Sequence, residues 1–265
     1  MNEATKRAEM PKGANAVLDR RTVAHGNANL LTILKPGHVV LDVGCGSGPI
    51  TKGISDLVGP SGLAKGIDLS EQLIQSARQT FSAIHNLSFE VADINTFHPE
   101  VKYDVVSSAR VLQWVSNPKE VLLRMKDLLK EGGSLTILDY NHEKIEFRGQ
   151  LPERVKNFYD AFLLWRKDAG MDNNIADNLE NIFKEIGLNN ISIEDHSEVS
   201  IPDSPSFYDE LSIWRKVAET RGKQLVADQY ITEEDRLTSI LEYQEWMDKQ
   251  ANYMKLYLRS VTGIK

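Results

Sequence analysis

The sequence predicts an α/β protein in which a parallel sheet is wrapped by helices. Three observations predict it. Short β-branched runs alternate with amphipathic helical stretches between residues 39 and 140, the first run breaks into a glycine-rich loop, and aspartates stand at the ends of three successive runs. Strands and helices alternating at this spacing form right-handed βαβ units. Ligands of such sheets bind at the carboxyl ends of the strands, near the point where strand order reverses.

Val39-Val40-Leu41-Asp42-Val43 reads as the first, buried strand. Ile50, Ile54 and Leu57 follow at helical spacing, with Pro49 where a first helical turn tolerates proline. Gly59-Pro60-Ser61-Gly62 is a turn, and Leu63–Asp68 is the second strand. Ser70 caps a helix through Phe81 whose apolar face carries Leu73, Ile74 and Ala77. Leu87–Val91 and Tyr103–Ser108 are the third and fourth strands, Pro118–Leu129 is an amphipathic helix closed by Glu131-Gly132-Gly133, and Ser134–Asp139 is the fifth strand. Beyond Tyr140 the pattern changes to aromatic-rich helices around Phe158–Trp165, Ala176–Ile186, Pro205–Arg221 and Glu233–Gln250, with Ile191–His196 as a sixth strand.

Composition sets outer bounds. The 265 residues are 41% hydrophobic and 26% charged, as in a folded globular chain rather than a disordered one. With 31 basic and 38 acidic residues the formal net charge is -7, which argues against a nucleic-acid partner. No apolar run is long enough to span a bilayer, and Met1–Lys6 lacks the pattern of a signal peptide. The single cysteine, Cys45, can form neither an internal disulfide nor a cysteine-rich metal site, so a reducing cytoplasm is expected.

Gly44-Cys45-Gly46-Ser47-Gly48 ends the first strand, where glycine lets the backbone turn sharply and approach a ligand closely. A dinucleotide fingerprint would require glycine at position 49, which is Pro49, and the phosphate-binding lysine motif is missing. The loop therefore makes a poor phosphate cradle, and a plain tight turn also accounts for it. Asp68, ending the second strand, is placed to accept both hydroxyls of a ribose, and Asp93, after the third, to accept from an exocyclic amine of adenine. Each acid alone is equally well a solvated strand-end carboxylate; the three together carry the argument.

Val40–Gly48 resembles the first motif of class I S-adenosylmethionine-dependent methyltransferases. Gly66-Ile67-Asp68-Leu69-Ser70 and Ala92-Asp93-Ile94 resemble the second and third motifs. Tyr103–Val106, then Val111–Val115 and Leu128–Gly133, resemble the fourth and fifth. The resemblance runs from about Arg20 to Tyr140 and is nearest to the small-molecule enzymes of the ubiquinone/menaquinone-biosynthesis type, where Arg21-Thr22 before a helix ending in Leu34-Lys35-Pro36-Gly37 also recurs. It implies a Rossmann-like, mostly parallel seven-stranded sheet with an antiparallel last strand, here about Leu256–Gly263, helices on both faces, and a helical cap. It implies S-adenosylmethionine as cofactor, S-adenosylhomocysteine as product and a small-molecule substrate. Gly44 and Gly46 would pack against the methionyl part with Cys45 between them, Asp42 would order the loop and the amino group, Asp68 would hold the ribose, and Leu69 next to it would also border the cofactor. Asp93 and Ile94 would hold the adenine, Ala109 would offer its carbonyl to the ammonium, and Arg21 is the candidate cation for the carboxylate, unless it is an exposed helix arginine.

The expected organisation is an N-terminal helical segment over 1–38, a cofactor-binding core over 39–141, and a remainder over 142–265. That remainder completes the sheet near 191–196 and 256–263 and inserts cap helices near 151–186 and 202–250. Cap aromatics Tyr159, Trp165, Trp214 and Trp246 serve either as cap core or as a hydrophobic substrate pocket. His142, just past the fifth strand, is the best-placed base if the acceptor must lose a proton, the alternative being a surface-loop histidine; Tyr140 and Gln113 are as well placed to orient a polar group. Ser107-Ser108-Ala109-Arg110 stands where amino-purine methyltransferases carry their Pro-Pro-aromatic motif, which disfavours methylation of nucleic-acid bases. Asp139 and Asn141 are too thin a cluster for a metal. Two rival readings are a catalytically silent S-adenosylmethionine-binding scaffold and a nicotinamide-dependent oxidoreductase, the second lacking its loop glycine and a Tyr-x-x-x-Lys in context.

Overall fold

The computed structural model describes residues 3–8 and 21–265. Of the segment expected to be helical over 1–38, residues 1–2 and 9–20, with Arg20, lie outside the described residues. The rest contributes three short helices: α1 (Glu3–Ala8), α2 (Val23–Gly26) and α3 (Leu30–Ile33).

The parallel half follows the periodicity. Strands β1 (Val39–Val43), β2 (Leu63–Asp68), β3 (Leu87–Val91) and β4 (Tyr103–Ala109) pair in parallel, with helices α4 (Pro49–Val58) and α5 (Glu71–Thr80) between them. Pro49 opens α4 at its first turn, and the Ser70 hydroxyl accepts from the Leu73 amide to cap α5. Helix α6 spans Pro118–Asp127, and β5 runs Leu129–Tyr140, longer than the expected Ser134–Asp139. The extra residues are the glycine turn itself. Gly132 adopts φ +76°, and the β4–β5 register shifts between Tyr103 and Val105, so the chain passes from helix into strand through a bulge. Beyond β5 come β6 (Glu146–Arg148), α7 (Glu153–Asp168), α8 (Ile175–Glu185), β7 (Asn189–Asp195), β8 (Glu198–Ser200), α9 (Phe207–Ala227), α10 (Glu233–Lys249), β9 (Tyr253–Leu256) and β10 (Leu258–Ile264).

The main sheet has seven strands in the order β3-β2-β1-β4-β5-β10-β7, with β10 antiparallel to both neighbours. It is the mostly parallel, Rossmann-like sheet with an antiparallel last strand, with helices on both faces. Strand order reverses between β1 and β4, so the carboxyl ends of β1, β2, β4 and β5 form one edge. Alternation along each strand divides the core. Leu41, Val43, Val106, Leu135 and Ile137 face α6 and α8, whereas Val40 and Val105 face α2, α3 and α4. On the second face Asn27 donates to the Ser107 hydroxyl at 3.0 Å and Asn29 to Thr136 at 2.6 Å, tying the N-terminal segment to β4 and β5.

Two features depart from expectation. Leu256 does not begin the last strand of the main sheet: it ends β9, which lies between β6 and β8 in a separate three-stranded sheet. Tyr257 marks the break, its hydroxyl donating to Asp177 at 3.0 Å while its carbonyl accepts from the Asn141 amide. Second, α8, placed by the sequence within the cap stretch 151–186, packs on the sheet. Ile175, Leu179 and Phe183 are fully buried in the cluster that holds Leu135, Ile137 and Val261. The cap is α7, α9 and α10 with the small sheet, joined by Phe158, Phe162, Leu211, Trp214, Tyr243 and Trp246 and seated on Leu138 and Tyr140 at the end of β5.

Phe183 therefore belongs to the sheet core, and Phe183→Ala is expected to cost about 3–5 kcal/mol. Urea denaturation followed by both circular dichroism and tryptophan fluorescence should show one transition moved to lower urea; a displaced early step with the main transition unmoved would return α8 to the cap.

Candidate active site

The site is built on the turn from β1 into α4. Gly44, Gly46 and Gly48 have φ of +74°, +56° and +90°, a region side chains rarely adopt, and a Cβ on Gly44 would stand 2.3 Å from Val111. The loop is closed by its own hydrogen bonds. The amides of Gly44 and Cys45 donate to the Ile67 carbonyl at 2.8 and 3.0 Å, and that of Gly48 to the Cys45 carbonyl at 3.0 Å. The Gly46 amide donates to Asp68 Oδ2 at 2.9 Å, and the Ser70 amide to Asp68 Oδ1 at 2.8 Å. Asp68 thus bridges the loop and the start of α5, and burial raises its carboxyl pKa. Asp42 lies beneath, accepting from Thr51 Oγ1 at 2.7 Å. Burial lifts its carboxyl to about 6, the Thr51 bond opposing and the Asp68 charge adding to the lift.

Cys45 contributes its side chain to the core. Its thiol faces inward, packed with Ile74, Ala77 and Phe89, and Sγ would lie 2.8 Å from a Cβ on Gly66. Burial, then the charges of Asp42 and Asp68, push the thiol well above its ordinary value. Leu69 is the opposite, 59% exposed beside Asp68, an apolar surface offered at the strand edge. Asp93 is half-buried past β3 and accepts from the Asn95 amide and side chain, both at 2.9 Å; Ile94 packs on the main core. The Ala92 amide donates to the Asp68 carbonyl at 3.0 Å, which aligns the ends of β2 and β3.

At the ends of β4 and β5 the structure brings Gln113, Tyr140 and His142 together around Arg110, a residue the sequence reading did not single out. Arg110 Nε donates to Tyr140 Oη at 2.9 Å, Nη1 to the Gly26 carbonyl and Nη2 to Glu198. Its φ of +62° is left-handed, a conformation that costs a side-chain-bearing residue roughly 1–2 kcal/mol. Arg21 lies close to this cluster: burial, then the Arg110 charge, lowers its pKa, while Tyr140, Glu198 and Asp139 act in the opposite direction. Ala109 closes β4 beside it. The position of Arg110 directly after the fourth strand was the signal available in the sequence; its partner Glu198 lies 88 residues away and could not be read there.

His142 is buried, so it is no surface-loop histidine. Nε2 lies 2.7 Å from Gln113 Oε1, and Gln113 Nε2 donates to the Arg110 carbonyl at 3.0 Å. The amide oxygen therefore faces the ring, which makes Nε2 the protonated nitrogen and leaves a lone pair on Nδ1. Nδ1 is buried and has no partner among the described residues. Burial, then the neighbouring Arg166 charge, hold the ring pKa well below its ordinary value, so the imidazole is neutral. Arg166, fully buried, donates to the Gln113 carbonyl at 2.6 Å and to Asn173 Oδ1 at 2.8 Å. Among the described residues no group of three or more His, Cys, Asp or Glu side chains could hold a metal ion, and no helix is long and apolar enough to cross a membrane.

Among solved structures, a phosphoethanolamine N-methyltransferase 2 from Haemonchus contortus, determined with phosphomonomethylethanolamine and S-adenosylhomocysteine, superposes with a TM-score of 0.57. It is 19% identical, over 96% of this chain and 53% of that one. An arsenic(III) S-adenosylmethionine methyltransferase from Chlamydomonas reinhardtii gives 0.53 at 16% identity, over 100% and 74%. Both share the fold. Among curated proteins, a malonyl-[acyl-carrier protein] O-methyltransferase of Bacillus cereus is 31% identical over 133 residues, 48% of each chain. Phosphoethanolamine N-methyltransferase 1 of Arabidopsis thaliana is 30% identical over 188 residues, 67% of this chain and 38% of the other. The chain spans from 30% to 60% of the length of such relatives. A family model described as a methyltransferase domain matches residues 34–261, from before β1 to within β10, and the chain belongs to that methyltransferase domain family.

Proposed function

We propose that this chain transfers a methyl group from S-adenosylmethionine to a small-molecule acceptor and releases S-adenosylhomocysteine. One observation carries the reading: the amides of Gly44, Cys45, Gly46 and Gly48 are all spent on protein acceptors, and two carboxyls, Asp42 and Asp68, flank the loop. A pyrophosphate needs free loop amides and would be repelled by those acids. A cofactor with no phosphate, bearing an ammonium and a sulfonium, suits them.

When bound, S-adenosylmethionine supplies an electrophilic methyl group on sulfur. Asp68 has lone pairs left to accept ribose hydroxyls. Leu69, exposed beside Asp68, and Asp93 with Ile94 would hold the ribose and adenine side of the cofactor. Gly44 and Gly46 admit the methionyl chain, Asp42 and the Ala109 carbonyl favour its ammonium, and Arg21 beside Arg110 favours its carboxylate. Methyl transfer is an in-line displacement, so the residues past β4 and β5 chiefly orient the acceptor. His142, proposed as the base should the acceptor have to lose a proton, keeps a free lone pair on Nδ1. Burial and the Arg166 charge disfavour its protonation, so it and Tyr140 serve chiefly to orient the acceptor, with Gln113 fixing the tautomer. Catalysed methylation by relatives such as the Bacillus cereus and Arabidopsis thaliana enzymes supports a small or carrier-linked acceptor. The net charge of -7 supports one that is not nucleic acid. A cytoplasmic location is part of the same proposal, supported by the lone, buried Cys45.

Asp68→Ala should weaken S-adenosylhomocysteine binding by about 1–3 kcal/mol, the scale of buried hydroxyls left without partners. Calorimetry with NAD and S-adenosylhomocysteine on both proteins checks it; tighter binding of NAD, or an unchanged affinity in a well-folded variant, would overturn the reading.

Affinity should also depend on pH. The Asp42 carboxyl, raised to about 6, holds its proton below that pH and attracts the methionyl ammonium only above it. S-Adenosylhomocysteine binding should therefore tighten as pH rises through 6 and level off above it. Fold stability should run the other way, because a carboxyl with a raised folded-state pKa stabilises when protonated and loses that contribution between about pH 4 and pH 6. Thr51→Val, removing the bond that opposes the lift, should move both midpoints upward, as read by calorimetry and thermal melting across that range.

A further inference from the structure

The Arg110 guanidinium engages a different part of the chain with each of its three nitrogens. Nε donates to Tyr140 at the end of β5, Nη2 to Glu198 of β8, and Nη1 to the Gly26 carbonyl at the end of α2. The side chain is 4% exposed, which leaves almost no surface for a ligand. Whatever Arg110 does for the site, it does through these partners.

The contact with Gly26 leads to Arg21. Gly26 closes α2 onto the residue after Arg21: its amide donates to the Thr22 carbonyl at 2.6 Å, and Thr22 Oγ1 caps the same turn by accepting from the His25 amide at 3.3 Å. The stem of Arg21 passes directly over Gly26, where a Cβ would stand 3.2 Å from Arg21 Cβ and 3.2 Å from Ile50 Cδ1. One hydrogen-bonded turn and one close contact thus separate the Arg110 guanidinium from the Arg21 stem. The two arginines also divide the surrounding groups unequally. Tyr140, Glu198 and Asp139 act on Arg21 as charges, whereas the hydrogen bonds of Tyr140 and Glu198 go to Arg110. Arg21 is therefore left to face an anion brought by a ligand.

We propose that Arg110 is a positioning residue for the cofactor's carboxylate: it seats Arg21 through the Gly26 carbonyl, and its bond to Glu198 ties that seat to the small sheet. The assignment rests on the methyl-transfer reading above, in which Arg21 favours the methionyl carboxylate. Arg110 fixes the turn over which the Arg21 stem passes and does not itself hold the cofactor. The left-handed backbone of Arg110 fits this role, since three bonds from one side chain hold a conformation that residues bearing a Cβ disfavour.

The test compares S-adenosylhomocysteine with its decarboxylated form, which keeps the amine and lacks only the carboxylate, by calorimetry on the full chain. The unmodified chain should prefer S-adenosylhomocysteine by about tenfold or more, the scale of a charged hydrogen bond. Arg110→Gln should cut that preference about fivefold, as residues coupled through one network do. In an Arg21→Gln background the same substitution should change the preference no further. Gly26→Ala, whose Cβ presses on the Arg21 stem, should act in the same direction as Arg110→Gln. A merely structural role for Arg110 lowers the affinity for both ligands by one factor; that result overturns the proposal, and so does a fivefold effect that persists without Arg21. Should Arg110→Gln not fold, Gly26→Ala decides alone, and an unchanged preference in that folded variant overturns the proposal. Binding of S-adenosylhomocysteine with no preference over the decarboxylated form removes the proposal and spares the methyl-transfer reading. Binding of neither ligand removes that reading and the role of Arg110 with it.

Discussion

The carboxylate of Asp68 holds the site together. It accepts the Gly46 amide with one oxygen and the Ser70 amide with the other, so a single side chain at the end of β2 fixes both the glycine loop after β1 and the first turn of α5. Bonds from a carboxylate to backbone amides are charge-assisted and strong. This one turns three left-handed glycines from a flexible stretch into a defined surface. The Asp42–Thr51 bond repeats the device one layer deeper, tying the last turn of β1 to α4. Without Asp68 the Gly46 amide would lose its acceptor, while the Gly44, Cys45 and Gly48 amides would stay on their backbone carbonyls.

The cap is joined to this edge by buried polar contacts rather than by apolar packing alone. Gln113, in the turn after β4, is held by Asp139 at its amide, by Arg166 at its carbonyl, and by Arg110 and His142 at its side chain. Arg166 comes from α7, so any shift of that helix is felt at Gln113. Trp114 next to it is stacked between the guanidinium groups of Arg166 and Arg221, at 4.7 and 4.6 Å, which ties α9 to the same turn. Groups so fully engaged change together or not at all, and that makes the turn after β4 the mechanical joint between cap and sheet.

What the sequence revealed followed from how local each constraint is. The Gly-x-Gly-x-Gly loop, Asp68 and the Ser70 cap were legible because their roles depend on backbone geometry within a few residues. The antiparallel β10 came from family resemblance and was misplaced by two residues at its start, since nothing in Tyr253–Leu258 shows that Tyr257 turns away to Asp177. Strands β6 and β8, three residues each, are too short for any periodicity to register. The burial of His142 depends on Phe162 and Trp214 closing over it from α7 and α9, and the Arg110–Glu198 pair on the turn after β4 meeting β8 of the other sheet. Helix α8 was assigned to the cap because its apolar face, Ile175, Leu179 and Phe183, looks the same whether it covers a sheet or another helix.

The placement of β10 bears on how the chain is made. Strand β7 pairs with β10 alone, and β10 lies between β5 and β7. In chain order, α9, α10 and β9 all leave the ribosome after β7 and before β10. Until β10 arrives, β5 presents an unpaired edge and β7 has no sheet to join, while the parallel half, β1 to β5, is already complete. Exposed strand edges invite pairing with other chains, and long-range closure is slow. The nascent protein therefore passes through a stage with a finished cofactor half and an open flank. Slowing translation across α9 and α10 would lengthen that stage, which makes this stretch the one where synthesis rate and aggregation are coupled.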